Sequence, residues 1–291
     1  MSPPKPPAIL FDASHNEELT LEEPELTMLA KLLDANGFAP STNISPFTSE
    51  KLAQYQVVVL GNPYESKLTS DEISTLVSFV KSGKGLLLIS GATIFGKGGD
   101  NARNTNLNEL AKQFGFEFSK KALEKPPDVE EDIFSAIPAG THHILTGIGS
   151  LTVSSGTKLV AENTETHLFR VPASPGTPTI AIAMEFKKGR IAAFGGGTFF
   201  FNDYITAGDH EKFIVQLFRW LAGEPTDLPI QKVTRASATM NQLTATEAIA
   251  DLQQQLDTIE EELANLKDVI NSSLREMEKM IRELQKQDKG N

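Results

Sequence analysis

The sequence predicts an α/β fold: a mostly parallel sheet with helices on both faces, followed by a C-terminal coiled-coil helix. Three observations predict it. Apolar runs such as VVVL (57–60) and LLLI (86–89) show no alternation, which implies strands buried on both faces. Helical patterns alternate with these runs, the order expected of helix-covered parallel strands. Beyond residue 244, apolar residues recur in unbroken steps of three and four.

Residues 1–7 are Pro-rich, lack the apolar core of a signal peptide and are expected to be disordered. AILFDAS, Ala8 to Ser14, reads as a buried strand. The next stretch, EPELTMLAKLLDANG, sets Leu26, Leu29, Leu32 and Leu33 on one helical face, with Gly37 as a stop. TSEKLAQ opens a short helix and YQVVVLGNP forms the second strand. TSDEISTLVSFVKSG carries Thr69 or Ser70 as a cap, acids in its first turn, and Gly83 after its end. GLLLISG is the third clear strand, and a helix begins near Asn106 with LNELAKQF.

The middle of the chain, 116 to 178, is less regular. EKPPDVEED is a turn-rich acidic loop, and ILTGIGSLTVSSGTKLVAE reads as strands with glycine breaks. TPTIAIAMEFKKGRIAAFGGGT reads as a hairpin joined through Lys188 and Gly189. GDHEKFIVQLFRWLAG is an amphipathic helix with Phe213, Leu217 and Trp220 on its apolar face, Ile214 and Phe218 beside them, and Gly223 at its end. The α/β domain is thus expected over 8–223, a polar linker over 224–243, the coiled coil over 244–286 and a disordered tail over 287–291. Ile249, Leu256, Leu263, Ile270, Met277 and Leu284 fall at heptad position a; Leu252, Ile259, Leu266, Ser273 and Met280 fall at d. All but Ser273, which weakens the seam, form the expected oligomerisation seam, with the chain itself or another protein's helix as partner. Val269, Leu274 and Ile281 widen the seam toward its C-terminal half, so helix number and orientation stay open.

Composition narrows the function classes. The 291-residue chain is 40% hydrophobic and 22% charged, the values of a soluble globular protein, and no apolar run is long enough to span a membrane. A formal net charge of −11 argues against non-specific nucleic-acid binding, which needs a basic face. The absence of cysteine removes disulfides, thiol nucleophiles and thiolate metal sites. The expected location is the cytoplasm.

The loop GATIFGKG, Gly91 to Gly98, nearly matches a phosphate-binding loop. Gly98 stands where the magnesium-binding hydroxyl belongs, and GGDNARNTN is poor material for the helix that must follow. No nucleotide site is expected there. The five histidines show no metal-ligand spacing, and His142 and His143, if on a strand, would point opposite ways. No metal and no cofactor are expected. Residues just past strand ends are the places where ligands gather in open α/β sheets. They are Asp12, Ser14 and His15, Asn62, Gly91 and Thr93, and the glycine-rich run Gly195 to Thr198. The first six form the candidate ligand-binding set. No nucleophile-elbow pattern follows GLLLIS, so no catalytic residue is assigned.

The order ILFDASH, a helix, TSEKLAQYQVVVLGNPYESKLTSDEISTLVSFVKSGKGLLLISG and NTNLNELAKQFGFEF resembles the GldG/intraflagellar-transport (GIFT-type) domain family. This is the family of the N-terminal domain of intraflagellar transport protein 52. HHILTGIGSLTVSSGTKL and KKGRIAAFGGGTFFFNDYI…FIVQLFRWL resemble the family's closing strand, phenylalanine-rich loop and last helix. The resemblance implies a flavodoxin-like or class I amidotransferase-like domain that has lost its catalytic residues. It also implies a subunit of a transport- or motility-type complex. The lack of membrane spans departs from the family's transporter-associated members, while the shorter chain and simple tail depart from the eukaryotic protein; a prokaryotic homologue is expected, with an archaeal source the narrower expectation. The sequence therefore supports a non-enzymatic scaffold on an oligomerising stalk. The alternative is a small-molecule or carbohydrate-binding protein, or a weak hydrolase, working in the strand-exit crevice.

Overall fold

The computed structural model describes residues 5–233, except 62, 64–65, 92–104, 126–132, 155, 162 and 164–165, together with Lys267. The chain divides into a first unit, Met1–Arg235, and a second, Ala236–Asn291. The heptad positions Ile249 to Leu284 lie outside the described residues, as do Asn62, Thr93 and most of the GATIFGKG loop.

A nine-stranded sheet organises the first unit. Its parallel half consists of β1 (Ala8–Asp12), β2 (Ala39–Asn43), β3 (Val57–Gly61), β4 (Gly85–Ile89) and β11 (Gly189–Phe194). They lie in the order β2-β1-β3-β4-β11, all parallel. This is the 2-1-3-4-5 arrangement of a flavodoxin-like sheet, with β11 in the fifth place. Beyond β11 the sheet continues antiparallel through β10 (Thr179–Phe186), β9 (His167–Arg170), β6 (Ile133–Pro138) and β7 (Leu151–Ser154). A separate pair joins β5 (Phe116–Ala122) to β8 (Thr157–Ala161).

The burial patterns follow from this layout. β3 and β4 are buried at every position, because helices cover both faces of the parallel half. On one face Leu10, Val58, Leu60, Leu86 and Leu88 pack with α2 (Ser49–Leu52), α3 (Ser70–Lys81) and α4 (Leu107–Lys112). The opposite face carries α1 (Thr27–Ala35) and α5 (His210–Ala222), where Phe11 meets Phe218 at 6.1 Å between ring centres. In the antiparallel part, β6 and β7 alternate buried with exposed or half-buried residues, as strands with one wet face do.

Three details depart from the sequence reading. β2, APSTN, went unread as a strand because it is polar and holds Pro40. It is an edge strand, where a missing N–H and a wet face are tolerated. The β10–β11 hairpin turns at Lys187 and Lys188, not at Lys188-Gly189: Phe186 pairs with Gly189, and Lys187 adopts φ +57°. Gly189 is instead a close-approach residue, since a Cβ there would run into the carbonyl oxygens of Val80 and Lys84. His142 and His143 lie at the start of a 3-10 turn rather than on a strand, with their rings stacked 4.5 Å apart.

α5 is buried on nearly every side, more than an amphipathic surface helix would be. Its outer face is covered by the chain that follows. Arg219, 6% exposed, donates to the carbonyls of Leu228 (2.6 Å) and Pro229 (2.9 Å), and Glu211 accepts from the Val233 N–H (2.9 Å). The described part of the segment read as a linker therefore lies on the domain.

Candidate functional site

In a sheet of this order, the chain leaves β1 for β2 on one side and β3 on the other, opening a crevice beyond the carboxyl ends of β1 and β3. The first strand delivers Asp12 there, fully buried. Ser14 and His15 follow at once. Ser14 Oγ donates to Asp12 Oδ1 (2.7 Å), and Asn43 at the end of β2 donates to the same oxygen (2.6 Å). The other oxygen, Oδ2, lies 2.5 Å from His15 Nδ1. His15 is 6% exposed and stacks on Phe47 at 5.6 Å.

The far side of the imidazole meets a helix start. Thr69 and Glu72 form a reciprocal capping box on α3, each side chain accepting from the other's backbone N–H (3.2 and 2.9 Å). That fixes the Glu72 carboxylate. Its Oε1 then accepts from the Phe47 N–H (3.1 Å) and lies 3.3 Å from His15 Nε2. His15 is thus held between two carboxylates, from the end of β1 and the start of α3. Lys51 closes the outer side, donating to Asn43 Oδ1 (2.7 Å) and meeting Ser45 Oγ.

Glu17 completes the cluster. It is 7% exposed, and its Oε2 accepts from the His15 N–H (3.1 Å). Ligand atoms of Asp12, His15 and Glu17 all lie within 4.8 Å of one another. Burial, and then the adjacent Asp12 carboxyl, push Glu17 up to about 9, so it holds a proton at neutral pH. Burial opposes the charge on Asp12, but His15, Glu17 and Ser14 outweigh it and hold that carboxyl below the ordinary carboxylate range. Burial likewise opposes a charge on His15; Asp12 and Glu72 outweigh it and raise the imidazole above its usual value. For Glu72, burial is outweighed by the donors of Thr69 and Phe47 and by His15, and the carboxyl is lowered.

The geometry limits the chemistry. In a hydrolytic triad, the imidazole nitrogen facing the serine is not the one facing the acid. Here Ser14 Oγ (3.1 Å) and Asp12 both approach Nδ1, and Nε2 faces Glu72. Ser14 Oγ is hydrogen-bonded to the Asp12 carboxylate, on the same side of the ring as the acid.

Among the described residues, the loop after β1 covers part of the crevice edge. After Glu17, which bridges to Pro63, the Leu19 N–H donates to the Gly61 carbonyl at the end of β3 (2.8 Å). The Leu19 side chain, 1% exposed, lies over the strand ends against Gly61 and Gly197. A Cβ on Gly61 would come within 2.5 Å of Leu19 Cβ and Leu19 O, so only glycine lets the loop lie this low. The Gly195–Thr198 run ends β11 at the same edge, followed by Phe199 and Phe200, which are buried against Phe194 (5.3 and 6.5 Å). These phenylalanines anchor the core. A polar groove of about 470 Å³ lies between α4 and β5, lined by Lys67, Asn106, Lys112 and Glu117 among others.

Of the six candidate ligand residues, the structure joins Asp12, Ser14 and His15 in one network. Gly91 is buried directly beyond β4, while Asn62 and Thr93 lie outside the described residues. Asn43, Glu17 and Glu72 were missed. Three acids and a histidine within DASHNEE were a usable signal for Glu17; Glu72 was read only as a helix-start acid.

An open α/β sheet of flavodoxin-like order, with a buried acid–histidine network at its switch point, defines the class. The chain belongs to the family described as Domain of unknown function (DUF4350), whose model matches residues 27–218. No curated protein matches it in sequence. Among solved structures, it is similar to the mmIFT52 N-terminal domain. The TM-score is 0.63 at 22% identity, covering 77% of this chain and 100% of that one. A cytoplasmic protein from Salmonella typhimurium gives 0.54 at 16% identity, with 74% and 98% covered. A ThuA-like protein from Parabacteroides merdae gives 0.51 at 13% identity, with 79% and 93% covered. At these identities the likeness is one of fold. No helix among the described residues is long and apolar enough to cross a membrane.

Proposed function

We propose that this chain is a non-enzymatic scaffold: a GIFT-type α/β domain displayed on an oligomerising coiled coil, serving a transport- or motility-type complex in the cytoplasm of a prokaryote. The observation that carries this reading is Leu19. The position where open α/β sheets take their ligands is occupied by the chain's own loop, sealed by Gly61 and Gly197. A domain covered by Leu19 at this point favours the use of its surface over the use of a crevice. The fold likeness to the mmIFT52 N-terminal domain, over that domain's full length, is compatible with a GIFT-type domain. The five-heptad repeat supplies the means of assembly, through a second copy or another protein's helix.

Light scattering on the full chain and on an Ile259→Asp/Leu263→Asp variant tests this. The expected result is an oligomeric wild type and a monomeric variant whose domain melts unchanged, because charges in an apolar seam are strongly unfavourable without partners. A monomeric wild type whose tail helicity ignores both substitutions would overturn self-assembly. The alternative, a ligand-binding protein, would gain if a sugar, nucleotide or amino acid raised the melting point and Asp12→Ala abolished the rise.

A further inference from the structure

We propose that Asp12, His15 and Glu17 form a binding site for a divalent transition-metal ion, Zn²⁺ or Mn²⁺, at the end of β1. The inference does not depend on the scaffold reading. Three donors from three residue types converge within 4.8 Å. The Glu17 Oε1 atom is buried and accepts no hydrogen bond from an N–H or hydroxyl; beside it stand the Asp12 carboxyl, which shares the Glu17 proton, and His15 Nδ1 at 3.9 Å. A buried oxygen without a donor costs stability, and a cation beside it offsets that cost.

The surrounding contacts orient the donors as metal sites require. Ligating histidines characteristically give their second nitrogen to a carboxylate, which fixes the ring. Glu72 stands in that place, 3.3 Å from His15 Nε2, and is itself held by the α3 capping box. Asp12 Oδ1 is occupied by Ser14 and Asn43, so Oδ2 is the oxygen left to ligate. Two carboxylates balance a dication, and one imidazole nitrogen with two carboxylate oxygens suits zinc or manganese better than a thiolate-seeking metal. Metal–ligand distances near 2 Å put neighbouring ligands about 3.3 Å apart. The 2.5 Å separation of His15 Nδ1 from Asp12 Oδ2 therefore widens by about 0.8 Å when an ion replaces the proton between them. Half-buried Ser14 and exposed Asn16 border the cluster on the solvent side, where water completes the coordination.

Calorimetric titration of the chelator-stripped full chain with ZnCl₂, MnCl₂ and MgCl₂ tests the site, with metal content measured by mass spectrometry after desalting. The expected result is one Zn²⁺ or Mn²⁺ per chain and a raised melting point on loading. Glu17→Gln keeps the side-chain shape but has no proton to release, so it cannot become an anionic ligand. It should fold with the melting point of the stripped wild type and bind at least about tenfold more weakly, since even outer-shell partners are worth 10–100-fold. No stoichiometric zinc or manganese in the wild type, or equal affinity in Glu17→Gln, would overturn the proposal and leave a proton shared by Asp12 and Glu17 as the sole occupant.

Discussion

Leu19→Ala is the substitution that most directly tests whether the switch-point crevice is packed as core. Leu19 is 1% exposed, and its side chain reaches from the end of β3 to the exit of β11. Truncating a buried leucine removes its transfer energy and leaves a cavity, at a cost of about 2–5 kcal/mol. The backbone bond from the Leu19 N–H to the Gly61 carbonyl survives the change, so the loop stays tied down and cannot swing in to fill the space. A cost of about 3 kcal/mol is expected. For a domain of this size each kcal/mol lowers the melting point by about 2–4 °C, so the drop should be about 6–12 °C. Urea unfolding should show a lower midpoint with an unchanged slope, because the native state stays as compact. Gly61→Ala is the companion variant. Its Cβ would meet Leu19 backbone as well as side chain, so Leu19→Ala should not rescue it. A loss below about 1 kcal/mol in Leu19→Ala, the size of a surface substitution, would mean that Leu19 is a loosely held cover. The switch point would then be an accessible site and the scaffold reading would lose its main support.

Two further outcomes follow from other parts of the domain. A fragment ending at Glu224 should fold but be less stable than one ending at Arg235 by about 2 kcal/mol, since charged hydrogen bonds contribute about 1.5–3 kcal/mol and water replaces part of what the Leu228 and Pro229 carbonyls supply; equal urea midpoints would show that the segment over α5 adds nothing. His142, edge-on to Trp220 and beside His143, is lowered to about 4 by burial and then by its neighbour. Its neutral form is favoured in the fold, so its contribution is complete above about pH 6.5 and is lost as pH falls toward 4. Half-exposure screens the effect to about 1–2 kcal/mol, and a His142→Gln variant whose stability falls as steeply as wild type between pH 6.5 and 4 would refute the assignment.

The parallel half of the fold was legible because burial on both faces leaves a mark on sequence that needs no knowledge of partners. VVVL and LLLI can only be doubly buried strands or buried helix, and their short length with flanking glycines decides for strands. β2 was illegible for the converse reason. An edge strand makes ladder bonds on one side only, so nothing compels apolar residues, and APSTN reads as a turn. The buried outer face of α5 was hidden too. What covers it comes from 228–233, a stretch with the composition of a linker, and its bonds to Arg219 and Glu211 pair groups that sequence patterns read as surface.

At the site, strand-exit reasoning reached Asp12, Ser14 and His15, because strand ends concentrate ligands in any open α/β sheet. It could not weigh them, because the deciding residue is remote. Glu72 lies 57 positions beyond His15, and its local environment already explains it as a capping acid. The same carboxylate closes a helix start with one oxygen and faces an imidazole with the other. A residue satisfied twice sends only one message in sequence, the local one. The burial of Glu17 is equally non-local: it is the next loop residue but one after His15, and its bridge to Pro63 with the seating of Leu19 on Gly61 draws it under the surface. The loop that shuts the crevice is thus the loop that assembles the acid–histidine cluster. A variant that loosens Leu19 should weaken both together, whereas Glu17→Gln should leave Leu19 packed.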